Sequence, residues 1–273
     1  MSPPGPGGGG LPPGWSIELD PTARRTDGGR VLIGGSPFRF LRLTPAGAAW
    51  LDGVAAGGRL PASRASRRLA RRLVDAALAH PVPAPDRGPS PADVAAVIPV
   101  RDAADGLRRT LATLGPVGEV VVVDDGSHDA GAVTRAAGGA RVLRNDRSVG
   151  PGAARQRGWR ATGRPFVAFV DDGVEAPDGW LAPLLAHLGD PAVAAVAPRV
   201  ASSPGRAGPA LAAYEAVRSS LDLGPVAAPV RPGSRVPYVP TAALLVRRTA
   251  LASVGGFDPR MRVGEDVDLV WRL

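Results

Sequence analysis

The sequence predicts an α/β protein: a Rossmann-like, mostly parallel sheet flanked by helices, preceded by a small α+β module. Three observations predict it. From Val94 onward, short β-branched runs alternate with helix-period segments, which is the rhythm of βαβ units. Acidic pairs stand directly behind two of those runs, Asp124-Asp125 and Asp171-Asp172. Open α/β sheets gather their ligands at such strand ends. A stretch with five prolines, 81–91, separates this region from a differently patterned first third.

Residues 1–14 are rich in Pro and Gly, lack the charged start and apolar core of a signal peptide, and read as a disordered tail. Residues 15–81 form the small module. Ile17 and Leu19, then Asp27-Gly28-Gly29, then Val31, Leu32 and Ile33 read as two short strands around a turn. Thr44-Pro45 caps a helix through Ala48, Trp50 and Leu51 that Gly57-Gly58 ends. A second helix carries Arg64, Arg67, Arg68, Arg71 and Arg72 on one side and Leu69, Leu73, Ala76 and Ala77 on the other, the pattern of a solvated face over a core. A hairpin plus helices in so few residues resembles a winged-helix fold or the peptide-binding modules of peptide-modifying enzymes. Residues 82–93 read as a linker.

The larger domain spans 94–273. Val94 to Val100 is a strand, and Leu107, Leu111 and Leu114 set a helix stopped by Gly115. Glu119 to Val123 is the next strand, with Ser127 placed to cap a short helix reaching Gly138-Gly139. Ala140 to Arg144, the helix Gly150 to Thr162, and the strand Phe166 to Val170 continue the alternation. No internal repeat interrupts it.

Composition narrows the function. The 273 residues are 44% hydrophobic, ordinary for a globular chain with a sizeable core. The formal charge of +8 is carried by arginine alone, without a single lysine. With Ala, Gly and Pro so abundant, GC-rich coding explains this better than a nucleic-acid footprint, which would concentrate on one element. With no cysteine, disulfides, thiolate zinc sites and cysteine nucleophiles are excluded. The three histidines are too scattered to suggest a metal cluster. No apolar run approaches the roughly 18 residues of a membrane span. The chain therefore reads as cytoplasmic, with a peripheral membrane association left open through a segment beyond Leu273.

The motifs then become specific. Val97-Ile98-Pro99-Val100-Arg101-Asp102, VVVDDGS at Val121 to Ser127, Ala154-Arg155-Gln156-Arg157-Gly158, FVDDG at Phe169 to Gly173, GGFD at Gly255 to Asp258 and GEDVDL at Gly264 to Leu269 follow one another in order. Each alone is weak; together, from Val94 to the end, they resemble the family 2 inverting glycosyltransferases. That resemblance implies a glycosyltransferase A fold and a UDP-sugar donor. It implies transfer of a hexose, glucose within the subgroup that the GEDVDLVWRL ending resembles, to a hydroxyl of a peptide-derived redox cofactor. A polyprenyl phosphate or cell-wall glycan acceptor, or an inert nucleotide- or peptide-binding protein, stays open as an alternative.

The resemblance also distributes roles. Pro99 and Arg101 lie along the uracil, where a guanidinium can stack. Asp125 takes the base ring, Asp171 the ribose, and Arg155 the nucleotide or diphosphate. Asp172 is the ligand for Mg²⁺ or Mn²⁺, which suits a diphosphate because such ions take few protein ligands. Gly173 stands where the family usually has a further aspartate, a departure that bears on the metal. Asp266 is the catalytic base, since inversion needs one carboxylate to take the proton of the attacking hydroxyl. Glu265 belongs to the acceptor side. Trp180 and Trp271 are assigned to no site.

Overall fold

The computed structural model describes residues 9–84, 88–202 and 209–273. The tail expected at 1–14 and the linker expected at 82–93 therefore lie partly outside the described residues, at 1–8 and 85–87. The chain divides into two compact units, each with its own core.

The first unit comprises the chain up to Gly88 together with two short later segments, Gly189–Ala192 and Val226–Pro237. Its elements are β1 (Ser16–Leu19), β2 (Arg24–Thr26), β3 (Val31–Gly34), β4 (Arg39–Arg42), α1 (Pro45–Ala55), α2 (Arg64–Asp75) and β5 (Ala79–Val82). The Asp27-Gly28-Gly29 turn joins β2 to β3, not β1 to β3 as expected. β1 instead pairs antiparallel with β5, while β2, β3 and β4 form an antiparallel sheet. The Arg24-Arg25-Thr26 strand carries no apolar alternation and so gave no sequence signal. Thr44 and Ser63 cap the two helices, their hydroxyls accepting from the Gly47 and Ser66 N–H groups, each at 3.1 Å.

The arginine face of α2 is only partly solvated, which corrects the simple amphipathic reading. Arg67 donates to the carbonyl of Leu11 at 2.7 Å, and Arg71 pairs with the buried Asp190. Leu11 itself is fully buried, so packing of this unit begins inside the Pro/Gly-rich stretch. Buried Asp20 accepts from the Thr22 N–H at 2.9 Å, from His80 at 2.8 Å and from Arg235 at 3.2 Å. Burial alone would raise its pKa, but these bonds outweigh it and hold the carboxyl at about 2.

The second unit holds β6 (Val94–Val100), α3 (Ala104–Thr113), β7 (Glu119–Asp124), α4 (Ala130–Ala136), β8 (Arg141–Arg144), α5 (Pro151–Arg160), β9 (Phe166–Val170), α6 (Leu181–Leu188), β10 (Ala195–Val196), α7 (Pro209–Arg218), β11 (Ala243–Arg247), α8 (Arg248–Ser253) and α9 (Glu265–Arg272). The sheet order is β10-β11-β9-β6-β7-β8. β9, β6, β7 and β8 run parallel, and β11 and β10 add antiparallel at one edge.

Both faces of this sheet are covered, so β6 and β9 at its centre are apolar at every position. Val94, Ala96 and Ile98 of β6 with Ala168 and Val170 of β9 pack in the core that includes Leu107, Val133 and Leu185 from α3, α4 and α6. Val97, Val121, Val123, Val167 and Phe169 point the other way, against Ala154 and Trp159 of α5, Leu251 of α8 and Leu269 of α9. Asp129 caps α4, its Oδ1 accepting the Ala132 N–H at 2.8 Å. Ser127, expected in that role, instead accepts the Asp102 N–H at 2.9 Å, because the turn after β7 folds it back against the end of β6. Trp180 packs on the first of these cores and donates to the Leu114 carbonyl at 2.9 Å. No helix among the described residues is long and apolar enough to cross a membrane.

Candidate active site

The strand pleat decides where each acidic pair points. Phe169 of β9 faces α5, and two residues on, Asp171 meets Arg155 of that helix, with its Oδ1 2.5 Å from an Arg155 nitrogen. Arg155 spends its other terminal nitrogen on Glu265 Oε1 at 3.0 Å. Its guanidinium lies 5.9 Å from the centre of the Phe257 ring. With a side chain only 5% exposed, Arg155 ties the end of β9 to the start of α9. Gly152 permits this approach: a Cβ there would stand 2.9 Å from Glu265 Cγ.

A cleft of about 310 Å³ opens at this junction. Arg155, Asp171, Glu265 and Asp266 line it, joined by Thr241 and Arg262. Asp266 sits in the first turn of α9 after Gly264, whose left-handed φ of 78° sets the helix entry. One Asp266 oxygen accepts the Val267 N–H at 2.8 Å, and the other has no hydrogen-bond partner among the described residues. Three acids in that first turn, Glu265, Asp266 and Asp268, match the positive end of the helix dipole.

Pro99, Arg101, Asp125 and Asp172 do not line this cleft. Pro99 is buried in β6, and Arg101 beyond its end is half exposed, 3.7 Å from Asp102. Asp125 is 5% exposed and its oxygens are already occupied. Oδ1 accepts from Asn145 at 2.7 Å and the Val149 N–H at 2.9 Å; Oδ2 accepts from Ser148 at 2.7 Å and the Gly150 N–H at 2.9 Å. Burial pushes this carboxyl up, but the bonds from Val149, Ser148, Asn145 and Gly150 outweigh it and leave its pKa below the ordinary value. In this conformation Asp125 moulds the loop that starts α5, and so holds Arg155 in place at one remove.

Asp172 lies toward α3, where a Cβ on Gly106 would come 3.6 Å from its Oδ2. Burial, and next the charge of Asp171, push its carboxyl above the ordinary value. Gly173 adopts a left-handed φ of 86°, and its N–H donates to Thr110 Oγ1 at 2.8 Å. Glycine at the third place of this motif thus matches the turn's backbone. Gly106, Thr110 and Thr113, stacked at helical spacing on α3, hold this loop, since Thr113 also accepts the Ala176 N–H at 3.1 Å. Sequence reasoning missed them; small and hydroxyl residues spaced four and three apart were the available signal. It missed Thr241 and Arg262 as well, which carried none.

No group of three or more His, Asp or Glu side chains among the described residues is arranged to hold a metal alone. With Asp171 taken up by Arg155, Asp172 is the hard oxygen donor left at this strand end. One carboxylate fits an ion of the Mg²⁺ type, which takes one or two carboxylates and completes its shell with water and substrate phosphate.

A mostly parallel sheet with antiparallel strands at one edge and carboxylates beyond its strand ends is the architecture of the glycosyltransferase A fold. Residues 95–251 match the family described as Glycosyl transferase family 2, and the chain belongs to it. It is 47% identical over 267 residues to the Pre-mycofactocin glycosyltransferase of Mycobacterium tuberculosis, covering 96% of this chain and 55% of that protein. It is 28% identical over 180 residues to the human Polypeptide N-acetylgalactosaminyltransferase 9, covering 57% of this chain and 29% of the relative. Among solved structures, S. aureus TarS 1-349 in complex with UDP aligns with a TM-score of 0.52 at 20% identity, over 65% of this chain and 53% of that one, a likeness of fold. The chain spans about half the length of the mycobacterial relative.

Proposed function

We propose that this chain carries the donor site and the base for inverting transfer of a hexose, glucose, from a UDP-sugar to a hydroxyl of a mycofactocin precursor. The observation that carries the reading is the Arg155 bridge, which gathers Asp171, Glu265 and Asp266 at one cleft. The acceptor is inferred from the name of the mycobacterial relative, and the UDP donor gains support from the UDP complex of TarS.

In this reading Asp266 takes the proton of the acceptor hydroxyl through its uncommitted oxygen. The acceptor oxygen attacks the anomeric carbon opposite the diphosphate. A new carbon–oxygen bond forms as the bond to the diphosphate oxygen breaks, and the electron pair departs with UDP. Glu265, held by Arg155, stations Asp266 at the head of its helix. Asp172 would hold a divalent cation, which would supply positive charge to the diphosphate, while Asp171 stays with Arg155 on the nucleotide side. In the full-length protein, Asp266→Asn should lower transfer by about 10²- to 10⁴-fold. UDP affinity, followed by calorimetry, should stay within about twofold, because a base that meets only the acceptor adds nothing to nucleotide binding. Parallel loss of both would make Asp266 structural and end the reading.

A further inference from the structure

We propose that Arg262 binds the β-phosphate of the nucleotide donor and neutralises the charge that develops there as the sugar departs. The inference rests on reading the cleft as a UDP-sugar site, and it names the cation of that site.

A leaving diphosphate needs positive charge, and the guanidinium that motif order nominates is Arg155. Arg155 is already committed: it is buried, bound at one end to Asp171 and at the other to Glu265, and stacked on Phe257. Turning it toward a phosphate would strand two carboxylates that it now neutralises. The other arginines around it are committed too. Arg157 donates to the Arg144 carbonyl at 2.6 Å, and Arg160 lies over the Trp159 ring. Arg260 grips both oxygens of Asp258, and Arg272 holds Asp268 and the Val254 and Gly256 carbonyls.

Arg262 differs from all of these. It lines the cleft with Asp171 and Asp266, and no carboxylate or carbonyl holds it among the described residues. Its loop leaves Gly256 and re-enters helix at Gly264, both with left-handed φ, and the neighbouring Val263 is 85% exposed. A long side chain on such a loop reaches a phosphate without disturbing any buried pair. The cleft otherwise sets Asp171, Glu265 and Asp266 against the single guanidinium of Arg155. These side chains present net negative charge to an added diphosphate, and beyond the cation held at Asp172 Arg262 is the lining residue that offsets it by turning inward. A planar guanidinium can give two parallel N–H bonds to one phosphate, so geometry as well as charge favours it.

The test compares UDP with UMP, which lacks the β-phosphate, by calorimetry on the full chain with and without Mn²⁺. Arg262→Ala should weaken UDP binding about tenfold to a hundredfold, the span of a charge-assisted hydrogen bond, and leave UMP binding within about twofold. Arg262→Lys should recover part of the loss. Arg39→Ala, an equal change of charge on β4 of the first unit, should change neither nucleotide's binding. Unaltered UDP affinity in Arg262→Ala would overturn the inference, as would equal weakening of UDP and UMP. Should the unmodified chain bind neither nucleotide, the UDP reading itself falls and this inference falls with it.

Discussion

Two aspartates of the same kind, each the second of an adjacent pair at a strand end, have opposite acid strengths here. Asp125 receives protein hydrogen bonds on both oxygens and sits below its ordinary pKa, whereas Asp172 faces burial and a like charge and sits above it. The difference lies in what surrounds each carboxylate, since nothing in the local strings VVVDDGS and FVDDG distinguishes them. A cation can replace the proton on Asp172 only once that carboxyl ionises. The acid limb of Mn²⁺-supported UDP binding should therefore lie above the ordinary carboxylate range near pH 3.8. Asp171→Asn removes the second cause of the shift and should move that limb to lower pH, as titration of UDP affinity against pH at fixed Mn²⁺ would reveal. An unmoved limb would mean that Asp172 does not govern the metal. The positions of both aspartates behind their strands were legible from the β-branched runs before them. Their protonation was not, because Asn145, Ser148 and Gly106 arrive from other segments.

At the scale of elements, α5 organises the site. Its first turn is set by the loop that Asp125 holds, its middle presents Arg155 to two carboxylates, and its last turns press on the sheet. Gly158 marks that last contact: a Cβ there would stand 2.3 Å from Val97 Cγ1 and 3.1 Å from Val123 Cγ2. Gly158→Ala should cost about 1–3 kcal/mol, the range for overpacking a filled core. Because helix and sheet would have to part, it should also weaken UDP binding; urea unfolding and calorimetry measure the two effects. Retained stability together with retained affinity would show that α5 can shift freely. The helix itself was legible from Gly150 to Thr162, and the structure keeps Pro151–Arg160 of it. That its arginines divide between a buried bridge, carbonyl contacts and an aromatic face was not, since helical periodicity reports a face and not its partners.

At the scale of the molecule, the two units are interleaved along the chain. Gly189–Ala192 and Val226–Pro237 belong with the first unit although both follow the start of the second. The ion pairs Arg71–Asp190 and Arg235–Asp20 join the early part of the first unit to these late segments. A cut between Gly88 and Pro89 therefore divides one core's supports between two fragments. Fragments 1–88 and 89–273, prepared separately, should each melt below the intact chain, then associate and gain stability when mixed. Thermal melts and co-purification check this; two fragments as stable alone as in the whole chain would refute it.

The order of strands and helices from Val94 to Val170, the strand ends that carry acids, and the family itself were determined by sequence alone; the antiparallel edge strands β10 and β11 were not. Continuous β-branched apolar runs, glycine stops and motif order are local properties, and they survive without knowledge of neighbours. Tertiary structure decided which charges remain available. Whether Asp125, Arg155 or Arg262 can meet a ligand depends on every donor and acceptor that folding brings within about 3 Å. Those partners come from 16 to 110 positions away for Asp125 and Arg155, a distance over which no local pattern holds.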